Sequence, residues 1–139
     1  MTATEEAMNT AQLAAEAADA KQGRSIVAFD VSEHLAITDI FLVVSASNER
    51  AVGAIVDAIE EKLLTVGLKP VRREGDRENR WVLLDYLDVV VHVQHDEERE
   101  IYSLERLWRD APAIALNLPD HSADDAAGEA GAGGPEYTV

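Results

Sequence analysis

The chain contains no cysteine among its 139 residues, which excludes disulfides, thiolate catalysis and sulfur-ligated zinc. Basic residues are also scarce, since 12 Lys and Arg stand against 27 Asp and Glu, and the formal charge is −15. Nucleic-acid binding draws most of its affinity from cations that neutralise phosphates, so no direct nucleic-acid contact is expected. Anionic membranes are disfavoured for the same reason. The charge instead favours a basic protein as partner.

Long apolar runs are missing as well. No stretch approaches the roughly 20 apolar residues that a membrane-spanning helix needs. The start of the chain carries Glu5, Glu6, Glu16 and Asp19 but no basic start followed by an apolar run, so no signal peptide is expected. These absences predict a cytoplasmic protein without membrane association.

The composition divides the chain into a domain, residues 1–118, and a tail, residues 119–139. The tail carries five acids, no Lys or Arg, and Tyr137 as its one aromatic residue. So little apolar surface does not offset the entropy lost on ordering, and a disordered acidic tail is predicted. The part before it is long enough to bury a core as one domain.

Apolar spacing within that domain predicts alternating helices and strands around a mixed sheet, which is an α/β architecture. Alanines spaced along one side of the first helix form a narrow stripe suited to close packing, although an Ala-rich helix also suits exposure to solvent with little burial. The predicted order is a helix at 4–22, strands at 25–31 and 40–46, a helix from 47 or 48 to 67, a short strand at 70–73, two strands within 81–93, and a last helix from 95 to 112.

The most informative segment is WVLLDYLDVVVHV, from Trp81 to Val93. Two apolar, β-branched arms flank a short acidic and aromatic link, which predicts a β-hairpin. Both arms are apolar at almost every position, as in strands covered on two faces. Asp85, Tyr86 and Asp88 are then expected to be presented at the hairpin tip.

This segment resembles the signature of the ribosomal silencing factor family, also called the iojap-like family. In place of Leu87 many members have Gly, which is one departure from the family pattern at this turn. Further resemblances follow in order along the chain: Asp30-Val31-Ser32, Ile37-Thr38-Asp39-Ile40-Phe41, a helix opening within Ser45 to Arg50, and finally Tyr102, Leu104, Glu105 and Trp108.

The resemblance implies a nucleotidyltransferase-like α/β fold without catalytic motifs. It also implies a translational repressor that binds the large ribosomal subunit through that subunit's fourteenth protein. Bound there, the factor would block joining of the small subunit when nutrients are limiting. Family members also tend to form homodimers when free, so a homodimer is expected here.

A nucleotide-transferring enzyme is the first alternative. Asp39, Asp85 and Asp88 are the carboxylates that strand ends would bring together around magnesium. The Gly-Ser loop and paired acids that such chemistry uses on this fold are absent, so no catalytic residue and no cofactor are expected. His92 and His95, three apart on a strand, face opposite sides and predict no metal site. A dimeric adaptor for another basic protein is the second alternative.

Aromatic residues beside exposed acids are typical of protein interfaces, where rings supply buried area and carboxylates select a basic partner. Trp108, at helical spacing, is expected in the core instead. Asp85 and Asp88 are alternatively expected to stabilise the turn through their own backbone. The residues predicted to bind the partner are Trp81, Asp85, Tyr86, Asp88, Tyr102 and Glu105.

Overall fold

The computed structural model describes residues 2–75 and 77–119. Their strands form one sheet, and their helices pack against it. In chain order the elements are α1 (Glu5–Ala20), β1 (Arg24–Asp30), β2 (Ile40–Ala46), α2 (Glu49–Leu64), β3 (Arg72–Gly75), β4 (Trp81–Asp85), β5 (Val89–His95), α3 (Asp96–Ile101), α4 (Leu104–Leu107) and β6 (Ala113–Ile114).

The six strands lie in the order β3-β4-β5-β2-β1-β6. Strands β2 and β5 are parallel, whereas the other four pairings are antiparallel. The mixed sheet and the hairpin of β4 and β5 are therefore confirmed. Strand β5 lies inside the sheet, and each of its seven residues is buried.

One side of the sheet, here called the helix-covered face, packs against α1 and α2. Val89, Val91 and Val93 of β5 point to it and join the main hydrophobic core. The alanine stripe of α1 is fully buried there, which confirms close packing of that helix. Gly23, after α1, lies so near β2 that an added Cβ would stand 2.8 Å from Val44 Cγ1.

Each of the two long helices begins at a polar side chain that caps it. Thr4 caps α1, and its hydroxyl accepts a hydrogen bond from Ala7 N at 3.0 Å. Asn48 caps α2 by accepting from Ala51 N at 2.8 Å. Both caps satisfy a backbone N–H that the first helical turn leaves without a partner. Helix α2 closes near Gly67, whose φ of 82° is readily adopted by glycine.

Four expectations about the second half of the chain differ from the structure. The single last helix is two short helices, α3 and α4, separated at Tyr102 and Ser103. Strand β6 pairs with β1 where no strand was predicted. Strand β4 is not covered on two faces, because its burial alternates and Trp81, Leu83 and Asp85 are only partly buried. The short edge strand β3 lies two residues later than predicted.

The division into a domain at 1–118 and a tail stays a prediction, and residues 120–139 of that tail lie outside the described residues. The likeness to nucleotidyltransferases also stays a prediction. Within the described ranges, no helix combines the length and apolar character needed to cross a membrane.

Candidate interaction site

The other side of the sheet, here called the aromatic face, carries a line of six contacting rings. Trp81 stands opposite Gln94 on β5, and Phe41 stands opposite Val90. Neighbouring ring centroids are 5.0–6.1 Å apart, within the range of favourable aromatic pairs. We call these rings the aromatic row; in order they are Tyr102, Trp81, His92, Phe41, Trp108 and His34.

The middle of the row is polar as well as aromatic. Trp81 Nε1 donates a hydrogen bond to His92 Nδ1 at 3.2 Å, which fixes the orientation of both rings. His92 is only 6% exposed, and burial lowers its pKa to about 4. The imidazole is therefore neutral at physiological pH.

Trp108 lies near the far end of the row, next to the exposed ring of His34. It packs with Phe41, Val43 and Phe29 in a second, smaller hydrophobic cluster between the sheet and the segment that follows α3. Trp108 is only partly buried, so the expectation that it belongs to the core is met in part. The opposite end of the row is open, because Tyr102 is 52% exposed.

A buried arginine ties the segment of α3 and α4 to the sheet. Arg99, 5% exposed, forms an ion pair with Glu105 whose closest N–O distance is 2.6 Å. Its Nη1 also donates to Ser45 Oγ at 3.2 Å and to the carbonyl of Arg24 at 3.3 Å. Glu105 therefore neutralises a buried cation and holds α4 against the strands.

A second arginine joins the start of β4 to two helices. Arg80 pairs with Glu49 of α2 at 3.1 Å, and with Glu97 and Glu98 of α3 at 2.8 and 3.0 Å. A hydrogen bond from its guanidinium is the main cause that lowers the pKa of Glu97. The pKa of Glu49 is lowered first by a hydrogen bond from the backbone amide of Glu49 itself and then by the hydrogen bond from Arg80. These contacts position Trp81, the next residue, against Tyr102.

The exposed end of the row is both apolar and acidic. Ile101 is 66% and Leu107 72% exposed, and they flank Tyr102 on the same short segment. From residue 96 to 110 the chain has six acids against three arginines. Apolar area surrounded by net negative charge suits contact with a basic protein.

The hairpin tip is a separate surface. Trp81 and Asp85 occupy the two ends of β4, roughly 13 Å apart at the usual rise per strand residue. Asp85 Oδ1 accepts from Leu87 N at 2.8 Å, which confirms its role in the turn, and Oδ2 lies 3.5 Å from Arg72 Nη2. The carbonyl of Asp88 accepts from Asp39 N and Ile40 N at 2.8 and 3.0 Å.

The charge at Asp88 is unfavourable. Burial raises the pKa of its carboxyl group, and the nearby carboxylates of Glu6 and Asp39 raise it further. Leu87, between Asp88 and Tyr86, has a φ of 75°, a conformation that costs an L-residue with a Cβ free energy. The turn at the position that departs from the family pattern is therefore strained.

Tyr86 is not exposed at the tip, so that expectation is wrong. Its side chain turns to the helix-covered face and is 7% exposed within the main core. Burial, with a smaller effect of Glu60, raises its pKa to about 12. Residues alternate between the two faces of a sheet, so tip position alone did not determine where this ring points.

The carboxylates of the enzyme alternative do not form a metal site. Asp39 Oδ2 accepts from Thr4 N at 3.0 Å, and Asp85 faces Arg72. His95 Nδ1 accepts from Glu97 N at 3.0 Å on one side of β5, whereas His92 lies on the other. Among the residues that the structure describes, no group of three His, Asp or Glu side chains is placed to hold a metal ion.

The structure thus separates the predicted contact residues into two groups. Trp81, Tyr102 and Glu105 belong to the aromatic face and its support, whereas Asp85, Tyr86 and Asp88 belong to the hairpin tip. Sequence reasoning missed Phe41 and Arg99. A single aromatic residue in the mostly aliphatic β2 was a usable signal for Phe41, but the long-range contacts of Arg99 left none.

A mixed α/β sheet with one side closed by helices and the other bearing an exposed aromatic and acidic edge defines a protein built to bind a partner. The model of the family described as ribosomal silencing factor during starvation matches residues 4–135. The chain belongs to this family of non-enzymatic ribosome silencing factors, which regulate translation. Membership confirms the resemblance and the prediction that the protein is not an enzyme.

Individual relatives agree with this assignment. The chain is 41% identical over 105 residues to ribosomal silencing factor RsfS of Halalkalibacterium halodurans, covering 76% of this chain and 90% of the relative. It is 40% identical over 107 residues to the protein of that name from Bacillus subtilis, covering 77% and 91%. A crystal structure of a Chromobacterium violaceum protein superposes with a TM-score of 0.71 at 32% identity, covering 79% of this chain and 92% of that one.

Proposed function

We propose that the protein binds the large ribosomal subunit through the fourteenth protein of that subunit and blocks joining of the small subunit, silencing translation under nutrient limitation. The observation that carries this proposal is the exposed end of the aromatic row, where Trp81 and Tyr102 meet beside an acidic helical segment. No reaction is needed, because occupancy alone excludes the other subunit.

The chemistry of this surface fits a basic ribosomal protein. The rings of Trp81 and Tyr102 lie 5.5 Å apart and offer rigid apolar area for anchoring a partner. Carboxylates on α3 supply the complementary charge. The charge of −15 steers the protein toward a cationic protein and away from ribosomal RNA.

Repression then follows from mass action. The factor and the small subunit compete for large subunits, so repression grows with the concentration of factor relative to its dissociation constant. A tight complex is not required when the factor is abundant. Nutrient limitation would act by changing that ratio.

We place Trp81 and Tyr102 at the centre of the contact, with Glu105 holding the segment that presents Tyr102. Asp85 and Asp88 are proposed as a second, acidic contact at the hairpin tip. Tyr86 is left out of the contact because its side chain is buried.

Free protein is proposed to form a homodimer in the cytoplasm, in which a second copy covers exposed apolar area. A dimeric adaptor for a different basic protein is the competing proposal. The two differ in one result: only a silencing factor separates ribosomal subunits when added to assembled ribosomes.

The test uses sucrose-gradient profiles of ribosomes with purified protein. The wild-type protein is expected to lower the ribosome peak, raise both subunit peaks and sediment with large subunits. Tyr102→Ser removes the exposed ring and is expected to weaken this binding at least about tenfold, as for an interface anchor. Leu64→Ser is the matched control, since Leu64 is also 52% exposed but lies on α2, which packs on the other side of the sheet.

Two results would contradict the proposal. Ribosomes that stay assembled at large excess of wild-type protein would exclude silencing by obstruction. Equal sedimentation of Tyr102→Ser and Leu64→Ser with large subunits would remove the aromatic face from the contact.

A further inference from the structure

Two buried polar atoms on the aromatic face have no hydrogen-bond partner within the described part of the chain. They are Nε2 of His92 and Oε1 of Gln94. The two residues are 6% and 0% exposed and stand two apart on the same side of β5. Leaving such atoms unpaired costs free energy, so buried polar atoms are almost always satisfied.

The contacts around them show which atom donates. An indole N–H only donates, so the bond from Trp81 Nε1 requires His92 Nδ1 to accept. In the neutral imidazole the hydrogen is then on Nε2. Gln94 Nε2 donates to the carbonyl of Tyr102 at 3.5 Å, which leaves Oε1 as an acceptor. The face therefore conceals one donor and one acceptor, on residues two apart along the same side of β5.

Tyr102 is the residue whose movement would free Gln94, because its backbone carbonyl accepts the hydrogen bond from the Gln94 amide. It lies at the junction of α3 and α4, half-exposed, and its ring contacts Trp81. Its hydrogen bond from Gln94 is at the limit of useful length. Trp81, by contrast, is fixed to His92 by its own hydrogen bond. A small rotation at the junction would open the space beside Gln94.

A donor next to an acceptor matches one chemical group better than others. A carboxamide side chain presents its carbonyl and its N–H groups at the same end, so it can pair with both atoms. A trans peptide directs its C=O and N–H to opposite sides, and a guanidinium has donors only. An Asn or Gln side chain is therefore the complementary ligand.

We propose that His92 and Gln94 form a concealed carboxamide site, which takes an Asn or Gln side chain of the protein partner once Tyr102 moves aside. This inference rests on the proposed function, because it names the chemistry by which that partner is recognised. It also explains why His92 Nε2 and Gln94 Oε1 are buried on the aromatic face without a hydrogen-bond partner among the described residues.

The test compares stability with binding in Gln94→Met, which keeps the length of the side chain, removes the acceptor Oε1 and also removes the long, 3.5 Å hydrogen bond to the carbonyl of Tyr102. Removing an unsatisfied buried group is expected to raise the Tm by a few degrees. Losing its bond to the partner is expected to weaken sedimentation with purified large subunits about tenfold. Opposite signs in the two measurements are the signature of a group kept for binding.

Gln12→Met is the matched control. Gln12 lies on α1, and its amide is paired with Asn117 and Glu16. The same chemical change there is expected to lower the Tm slightly and to leave sedimentation with large subunits unchanged.

Other outcomes overturn the inference. A higher Tm with unchanged binding would mean that the unpaired atoms serve no partner. A lower Tm would mean that trapped water satisfies Oε1 or that the hydrogen bond to Tyr102 outweighs the cost of the unpaired atom, and either result removes the reason for a concealed site. If the wild-type protein does not sediment with large subunits, the proposed function fails and the carboxamide site fails with it, a result distinct from a defect of Gln94→Met alone.

Discussion

The two faces of one sheet differ in how completely the chain covers them. On the helix-covered face, aliphatic residues of β2 and β5 pack against the alanines of α1 and the branched residues of α2. On the aromatic face, two short helices cover β1 and β2, while Trp81 and Tyr102 at the other end stay partly exposed. The first face is covered by helices of the chain, with the Tyr86 hydroxyl as its one unpaired buried side-chain atom among the described residues, whereas the second face has an exposed end.

The difference shows how stability and recognition are divided. Aliphatic side chains need only to be packed away from water, and the helices already do this, so a partner would bury no further apolar area on that face. Rings, buried polar atoms and carboxylates have directional requirements that the chain meets only in part. The incomplete face is therefore the one suited to binding.

The largest effect on stability is expected on the helix-covered face. Ile59 of α2 is buried in the main core, so Ile59→Ala leaves a cavity there and should lower the free energy of unfolding by about 4 kcal/mol. Ile101→Ala, at a 66% exposed position beside Tyr102, should change it by less than about 0.5 kcal/mol. Urea titrations followed by circular dichroism measure both. Equal losses of unfolding free energy in the two variants would contradict the difference in coverage between the two faces.

A smaller effect is expected from acidification, and it reports on the aromatic face. The folded pKa of His92, about 4, lies below its ordinary value of 6.5, so its contribution is complete above pH 6.5 and lost as pH falls toward 4. The free energy of unfolding should fall by about 3 kcal/mol across this window from this residue.

The variant His92→Gln isolates that contribution, because glutamine can still accept from Trp81 Nε1 but does not titrate. Its stability should fall less steeply than that of the wild type between pH 6.5 and 4. Parallel curves would show that His92 is accessible to protons in the folded protein.

The smallest effect is expected at the hairpin tip. Leu87→Gly relieves the positive φ, partly offset by the greater freedom of glycine in the unfolded chain, for a net gain of about 0.5 kcal/mol. Ile37→Gly, at an exposed position without a positive φ, should lower stability. A loss at both positions would mean that the Leu87 side chain contributes more than its backbone costs.

Elements with strong periodicity were predicted well. Helix α2 and the hairpin of β4 and β5 follow from apolar spacing, and their ends follow from Asn48 and from the acidic turn. The break at Tyr102 was missed because the apolar residues around it also fit one continuous helix. What separates α3 from α4 is the fixing of Arg99 by Glu105 and Ser45, contacts that span up to 54 residues.

The candidate site was predicted in part. An aromatic and acidic character was evident around Trp81 and Tyr102, but Tyr86 was assigned to the surface because its neighbours are charged. The structure turns it inward, since a turn residue follows the side of the sheet set by strand register.

The sequence by itself determined the class of the fold, the absence of thiol chemistry, the negative charge and the family, because each is written in residue type and local spacing. Only the tertiary structure decided which aromatic residues share a face, which carboxylates are neutralised by buried arginines, and which polar atoms remain unpaired. Those properties arise from contacts between residues far apart in the chain, where register and packing, not local pattern, determine which side chains meet.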